Sequence, residues 1–280
     1  MFFKKAVLTV LALCSPAMVL ASIVTLQGDL QQGAMIIGHA DNIASASLNG
    51  KALKVSADGH FVFGLDRDAQ SGDKLKVVSK DGSVWQQTLA VKKRAYNIQR
   101  VEGISKKIMS KKKPDATWAR IRREAQEIST ARKKELDLLG FKQSFKWPLI
   151  GPITGVFGSQ RVYNGEPGRP HYGVDVAAAI GTAVGSPADG VITYADDMYY
   201  SGGTVVIDHG FGISSSFLHM SKILVKVGDS LKQGDIVGEV GAGGRATGPH
   251  LDWRMNWLKR RIDPQLLVPE MPTKASSDKQ

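Results

Sequence analysis

The stretch Gly248-Pro249-His250-Leu251-Asp252-Trp253 alternates polar and apolar side chains. Successive strand residues point to opposite faces, so His250 and Asp252 share one face and Leu251 and Trp253 the other. Such a strand packs its apolar face into a core and turns its polar face to a cleft. Upstream, His171-Tyr172-Gly173-Val174-Asp175 sets an imidazole and a carboxylate four residues apart. If that segment is extended, positions 171, 173 and 175 share a face, and Gly173 leaves the space before the backbone open. A hydrolytic metal site needs about three protein ligands and one open position. These two segments are the candidates to supply them.

Around them lie short β-branched runs, among them Val191-Ile192-Thr193-Tyr194 and Thr204-Val205-Val206-Ile207, with many glycines and almost no helical periodicity. A β-rich domain is expected over 146–268, with a disordered tail at 269–280. Residues 22–91 read as a small β-sandwich-like module, cut by Asn49-Gly50, Asp58-Gly59, Ser71-Gly72-Asp73 and Asp81-Gly82. A hairpin is expected from 43 to 65. His39 and His60 fall there as surface or turn residues without a partner cluster. Residues 92–145 read as a basic linker and one amphipathic helix, opening at Pro114-Asp115-Ala116, running through Leu138 and stopped by Gly140. The fold class is mostly β: a sandwich-like module, a central basic helix and a C-terminal domain of barrel-sandwich type.

The charge is uneven. Of the formal +11, the whole excess lies in residues 91–146, with 17 Lys and Arg against 6 Asp and Glu. Such a stretch attracts anionic lipid, an acidic polymer or nucleic acid, unless it is only a solvated helix face. The first residues argue against nucleic acid. Lys4 and Lys5 precede an apolar run, and small Ala21 precedes Ser22, the pattern of a cleavable leader over 1–21. A membrane anchor is the competing reading, but the run is short and Pro16 interrupts it. Export to the periplasm or cell envelope is expected. Cys14 is the single cysteine and leaves with the leader. Any metal site is therefore built from His, Asp and Glu.

With these pieces in place, the region 147–267 resembles the lysostaphin-type zinc endopeptidases, the LytM-domain peptidoglycan hydrolases. Phe157-Gly158-Ser159-Gln160-Arg161, His171-Tyr172-Gly173-Val174-Asp175, Phe217-Leu218-His219-Met220 and Gly248-Pro249-His250-Leu251 carry the resemblance, with Val206-Ile207-Asp208-His209-Gly210 and Val227-Gly228-Asp229 between them. It implies that His171 and Asp175 hold Zn2+ and that His219 lines the site. It implies that His250 is the first histidine of a His-x-His pair and acts as general base or transition-state stabiliser. The second histidine, the third zinc ligand, is here Asp252. Aspartate binds zinc through oxygen at a similar distance, and an oxygen-rich site admits other divalent ions. Two carboxylates would also lower the Lewis acidity of the metal. Arg161 is a candidate for binding a substrate carboxylate, with a plain surface arginine as the competing reading, and His209 is read as structural. The implied function is an exported metalloendopeptidase of peptidoglycan cross-links. The alternative is a degenerate domain that binds the wall and regulates another wall enzyme. A lipoyl-type carrier, which shares the Val-Gly-Asp pattern, lacks its exposed hairpin lysine here.

Overall fold

The computed structural model describes residues 23–102 and 114–272. The expected leader lies outside the described residues.

The N-terminal part is two facing sheets. One pairs Val24–Gln27, Met35–Ala40 and His60–Gly64; the other runs Lys51–Leu53, Ile43–Leu48, Lys74–Ser79 and Val84–Thr88. Ile36, Phe61, Phe63, Leu75 and Leu89 fill the space between them. Asn49 and Gly50 both have positive φ, 52° and 76°, the two-residue turn whose twist suits a hairpin. That hairpin ends at Leu53, short of the expected 65. The Phe61 strand crosses to the other sheet, where Phe61 opposes Gly38. A Cβ at Gly38 would stand 2.1 Å from the Phe61 ring, so the missing side chain sets this register. His39 and His60 are likewise cross-strand partners, not isolated turn residues, with rings 4.5 Å apart and Asp58 3.2 Å from His60 Nδ1.

The helix spans Asp115–Ala131 and ends seven residues before Leu138. Tertiary bonds take over there. The Arg132 guanidinium reaches Ser216 Oγ, the Leu136 N–H donates to Asp208 Oδ2, and the Phe211 N–H donates to Leu136 O. Ile128 and Ala131 pack on Tyr194, Val206 and Met198. Part of the expected linker is a strand: Ile98–Val101 lies parallel to Gln160–Tyr163.

The large C-terminal sheet has the order Ser230–Leu231, Gly190–Met198, Gly202–Gly210, Ile213–Ile223, His250–Trp257, Val174–Ala177, Ile153–Gly155. Its path is open rather than closed into a barrel. One face carries the core, with Ile207, Phe217, Leu251, Trp253 and Met255 all fully buried. The other face carries the polar positions. The two parts are clamped by Arg94 to buried Asp263, 2.8 Å, and by Arg67 Nε donating to Gly158 O, 3.0 Å. Pro269, expected in the disordered tail, accepts a hydrogen bond from Trp147 Nε1.

His209 is fully buried beside Phe145, with Nδ1 at Asp189 O, 2.8 Å, and Nε2 at Ser215 Oγ, 2.7 Å. Burial lowers its pKa from 6.5 to about 4. Unfolding then binds a proton between these values, so the stability contribution is complete above pH 6.5 and declines as pH falls to 4. The loss is about 3 kcal/mol by linkage. Urea midpoints of wild type and His209→Gln over this range should differ in slope, the wild type falling more steeply on acidification.

Candidate metal centre

The site begins with a strand register. Val174–Ala177 and His250–Trp257 run antiparallel with Asp175 opposite Asp252 and Ala177 opposite His250. Both carboxylates therefore rise from the polar face side by side. Glycines make the room: a Cβ at Gly155 would stand 2.2 Å from Asp175 Oδ2, and one at Gly173 2.4 Å from Asp252 Oδ1. His171 is fixed at its backbone, its N–H donating to Ser159 O and its carbonyl accepting from Gly158 N–H, both 2.8 Å.

His171 Nε2 and Asp175 Oδ1 lie 3.2 Å apart, and His250 Nε2 is 3.9 Å from the same oxygen. Ligand atoms of His171, Asp175 and Asp252 all fall within 4.8 Å of one another. His171 Nε2 and Asp175 Oδ1 are buried without a hydrogen-bond partner. Orphaned buried polar atoms are costly, and two that face each other in a ligand cluster fit a bound cation.

His219 reaches the site through a β-bulge. Gly203 pairs with Met220 and Val205 with Phe217, so Leu218 and His219 together oppose Thr204. His219 takes φ 65°, a strained value for a residue with a side chain, and its N–H is held by Ser201 O at 2.7 Å. Its Nδ1 donates to Gly243 O, 2.8 Å, and His250 Nδ1 donates to Gly248 O, 2.8 Å. Each bond fixes a tautomer whose Nε2 is an acceptor. The two rings are 4.8 Å apart.

Asp252 is not free. Arg254 Nε donates to Oδ1 and Oδ2 at 2.9 and 3.0 Å, and Nη2 to Oδ2 at 2.5 Å. A carboxylate has about four lone-pair sites, so one guanidinium leaves acceptor capacity. The guanidinium also cancels the carboxylate's charge. His171, Asp175 and the Asp252–Arg254 pair together carry the same net charge as two histidines and one aspartate. Burial would raise the Asp252 carboxyl, but Arg254 outweighs it and holds that pKa below the carboxylate range. Burial disfavours charged His171, yet Asp175 and Asp252 raise its pKa. Burial lowers that of His219.

The structure thus gathers His171, Asp175, His219, His250 and Asp252. It leaves Arg161 exposed and bonded to Gln99 Oε1, 3.1 Å. Arg254 escaped the sequence reading, although its position two residues beyond Asp252 puts it on the same strand face.

The profile of Peptidase family M23 matches residues 169–264, a segment that includes all five clustered residues. Residues 169–264 are a peptidase M23 domain. The chain is similar to the peptidoglycan DD-endopeptidase ShyA of Vibrio cholerae, 44% identical over 86 residues, covering 31% of this chain and 20% of ShyA. It is similar to ShyB of the same organism, 39% identical over 124 residues, covering 44% and 26%. The chain thus spans about a quarter or less of the length of these relatives. A crystal structure of a candidate peptidase M23 from Pseudomonas aeruginosa is 27% identical with a TM-score of 0.65, covering 86% of this chain and 95% of that one. That likeness extends beyond the M23 domain to the N-terminal sheets.

Removing one partner of a buried ion pair strands the other. Asp252→Asn should destabilise the metal-free M23 domain by about 3 kcal/mol. The double variant Asp252→Asn/Arg254→Met should recover part of that loss in urea denaturation, as a double-mutant cycle would show.

Proposed function

We propose that the protein is a zinc-dependent endopeptidase that cuts peptide cross-links of peptidoglycan outside the cytoplasm. The observation that supports this most is the facing pair of orphaned atoms, His171 Nε2 and Asp175 Oδ1, beside the Asp252 carboxylate. His171, Asp175 and Asp252 would hold the ion. Bound there, zinc supplies Lewis acidity toward a peptide carbonyl and a water. The substrate class comes from the names of the relatives, and export from the leader-like first residues.

The two ring nitrogens move the proton. His219 and His250 both present Nε2 as an acceptor. Burial keeps His219 neutral near pH 7. His250 Nε2 takes the proton of the attacking water. The neutral His219 tautomer has no proton at Nε2, so it stabilises an oxyanion only after receiving one. The proton taken up by His250 Nε2 then goes to the leaving amine.

A second reading has one observation in its favour: Arg254 already occupies Asp252 on both oxygens. On that reading the domain binds the wall without cutting and stimulates a partner hydrolase.

Purified protein incubated with zinc and wall sacculi should release muropeptides, stop on chelation and recover on zinc addition. His250→Ala should lower kcat by about 10²- to 10⁴-fold at unchanged zinc content. Absence of release from wild type and from Asp252→His, with a partner hydrolase rising on mixing, would establish the second reading instead.

A further inference from the structure

We propose that Arg132 and Arg261 form a carboxylate-binding subsite beside the metal cluster, which receives an acidic group of the peptide being cut. This rests on the wall-peptide reading above and names a feature of its substrate.

The subsite lies along the polar face of the sheet. Ser216 is the cross-strand partner of Arg254, and Ser214 that of Asn256. The helix delivers Arg132 over this face at its C-terminal end, with Nε and Nη2 donating to Ser216 Oγ at 3.2 and 3.1 Å. From the other side, Arg261 pairs across strands with Asn256 and its Nη1 donates to Asn256 Oδ1 at 3.2 Å. Three guanidiniums, those of Arg132, Arg254 and Arg261, therefore lie along this face. Asp252 is the carboxylate among them, and Arg254 holds it.

Arg132 and Arg261 have only neutral oxygens as hydrogen-bond acceptors, and neither makes an ion pair among the described residues. Both are partly buried. Burial, followed by the charge of Arg261, lowers the Arg132 pKa; burial, followed by the charge of Arg254, lowers that of Arg261 to about 10. The fold thus holds three cations around one carboxylate, Asp252, which Arg254 already engages, so that Arg132 and Arg261 are left without a hydrogen-bonded acid, an arrangement that costs stability unless an anion arrives. A helix C-terminus accounts for part of the placement of Arg132 but for none of that of Arg261. Guanidinium forks match a carboxylate in geometry. Strand positions two apart are roughly 6–7 Å distant. Arg254, opposite the Ser216 that holds Arg132, is one such step from Asp252, and Asn256, which holds Arg261, is two, so a carboxylate held here lies roughly 7–13 Å along the strand from the metal cluster. Arg132 lies outside the segment that matches the M23 family, so this selectivity would be particular to chains that carry the helix.

The test uses the full chain in its metal-free form and two synthetic cross-bridge peptides, identical except that one carries free side carboxylates and the other carboxamides. Calorimetry should show the acid peptide binding about 10- to 100-fold more tightly to wild type, the range for hydrogen bonds to a charged group. Arg132→Gln and Arg261→Gln should each reduce that preference severalfold while amide-peptide affinity holds and the urea midpoint does not fall. Arg132→Lys, which keeps charge but loses the fork, should fall between. Equal binding of both peptides to wild type, or variants that weaken both peptides equally, would overturn the subsite while leaving the wall-peptide reading in place. Binding of neither peptide to wild type would overturn both.

Discussion

Two carboxylates, Asp175 and Asp252, stand opposite each other on neighbouring strands, and like charges so placed repel. Everything at the site answers that repulsion. Arg254 neutralises one of the two through a forked contact. His171 leans on the other at 3.2 Å, with its proton affinity raised by both. What remains is a partly dry cluster of acceptor atoms from His171, Asp175 and Asp252, close enough together to fit a divalent cation. The charge of Asp252, which stands where the resemblance places a histidine, is therefore balanced by an arginine. The compensating charge sits two residues along the same strand.

The scaffold holds this arrangement by geometry more than by charge. Leu251, Trp253 and Met255 anchor one face of the central strand in the core, which obliges His250, Asp252 and Arg254 to share the other. Glycines at 155 and 173 keep backbone close to the carboxylates without a Cβ in the way. The bulge at Leu218–His219 turns a histidine toward the site at the cost of a strained φ. The helix contributes from outside the domain, its C-terminal Arg132 reaching Ser216 Oγ.

The alternation at 250–253 made the strand, its two faces and its polar residues readable before any coordinates, because period two follows from the backbone alone. The Asn49-Gly50 turn was readable for the same reason: both residues tolerate positive φ. Less local features were not. Phe61 pairs with the strand containing Gly38 because an aromatic ring fills a glycine gap, and that match exists only once both strands are placed. The helix stops at Ala131 because Arg132 and Leu136 bond to Ser216 and Asp208, some 70 to 85 positions away in the chain. Helix propensity carries no information about such partners. Arg254 was accessible in principle from the same alternation, but an arginine near an aspartate reads as surface charge until burial is known.

The most direct test is the zinc stoichiometry and affinity of the purified chain, by elemental analysis and chelator competition. One zinc per chain is expected, with affinity falling at least about tenfold in each of His171→Ala, Asp175→Ala and Asp252→Ala. A folded wild type that binds no zinc, or an Asp252→Ala variant that binds it as tightly as wild type, would contradict the account.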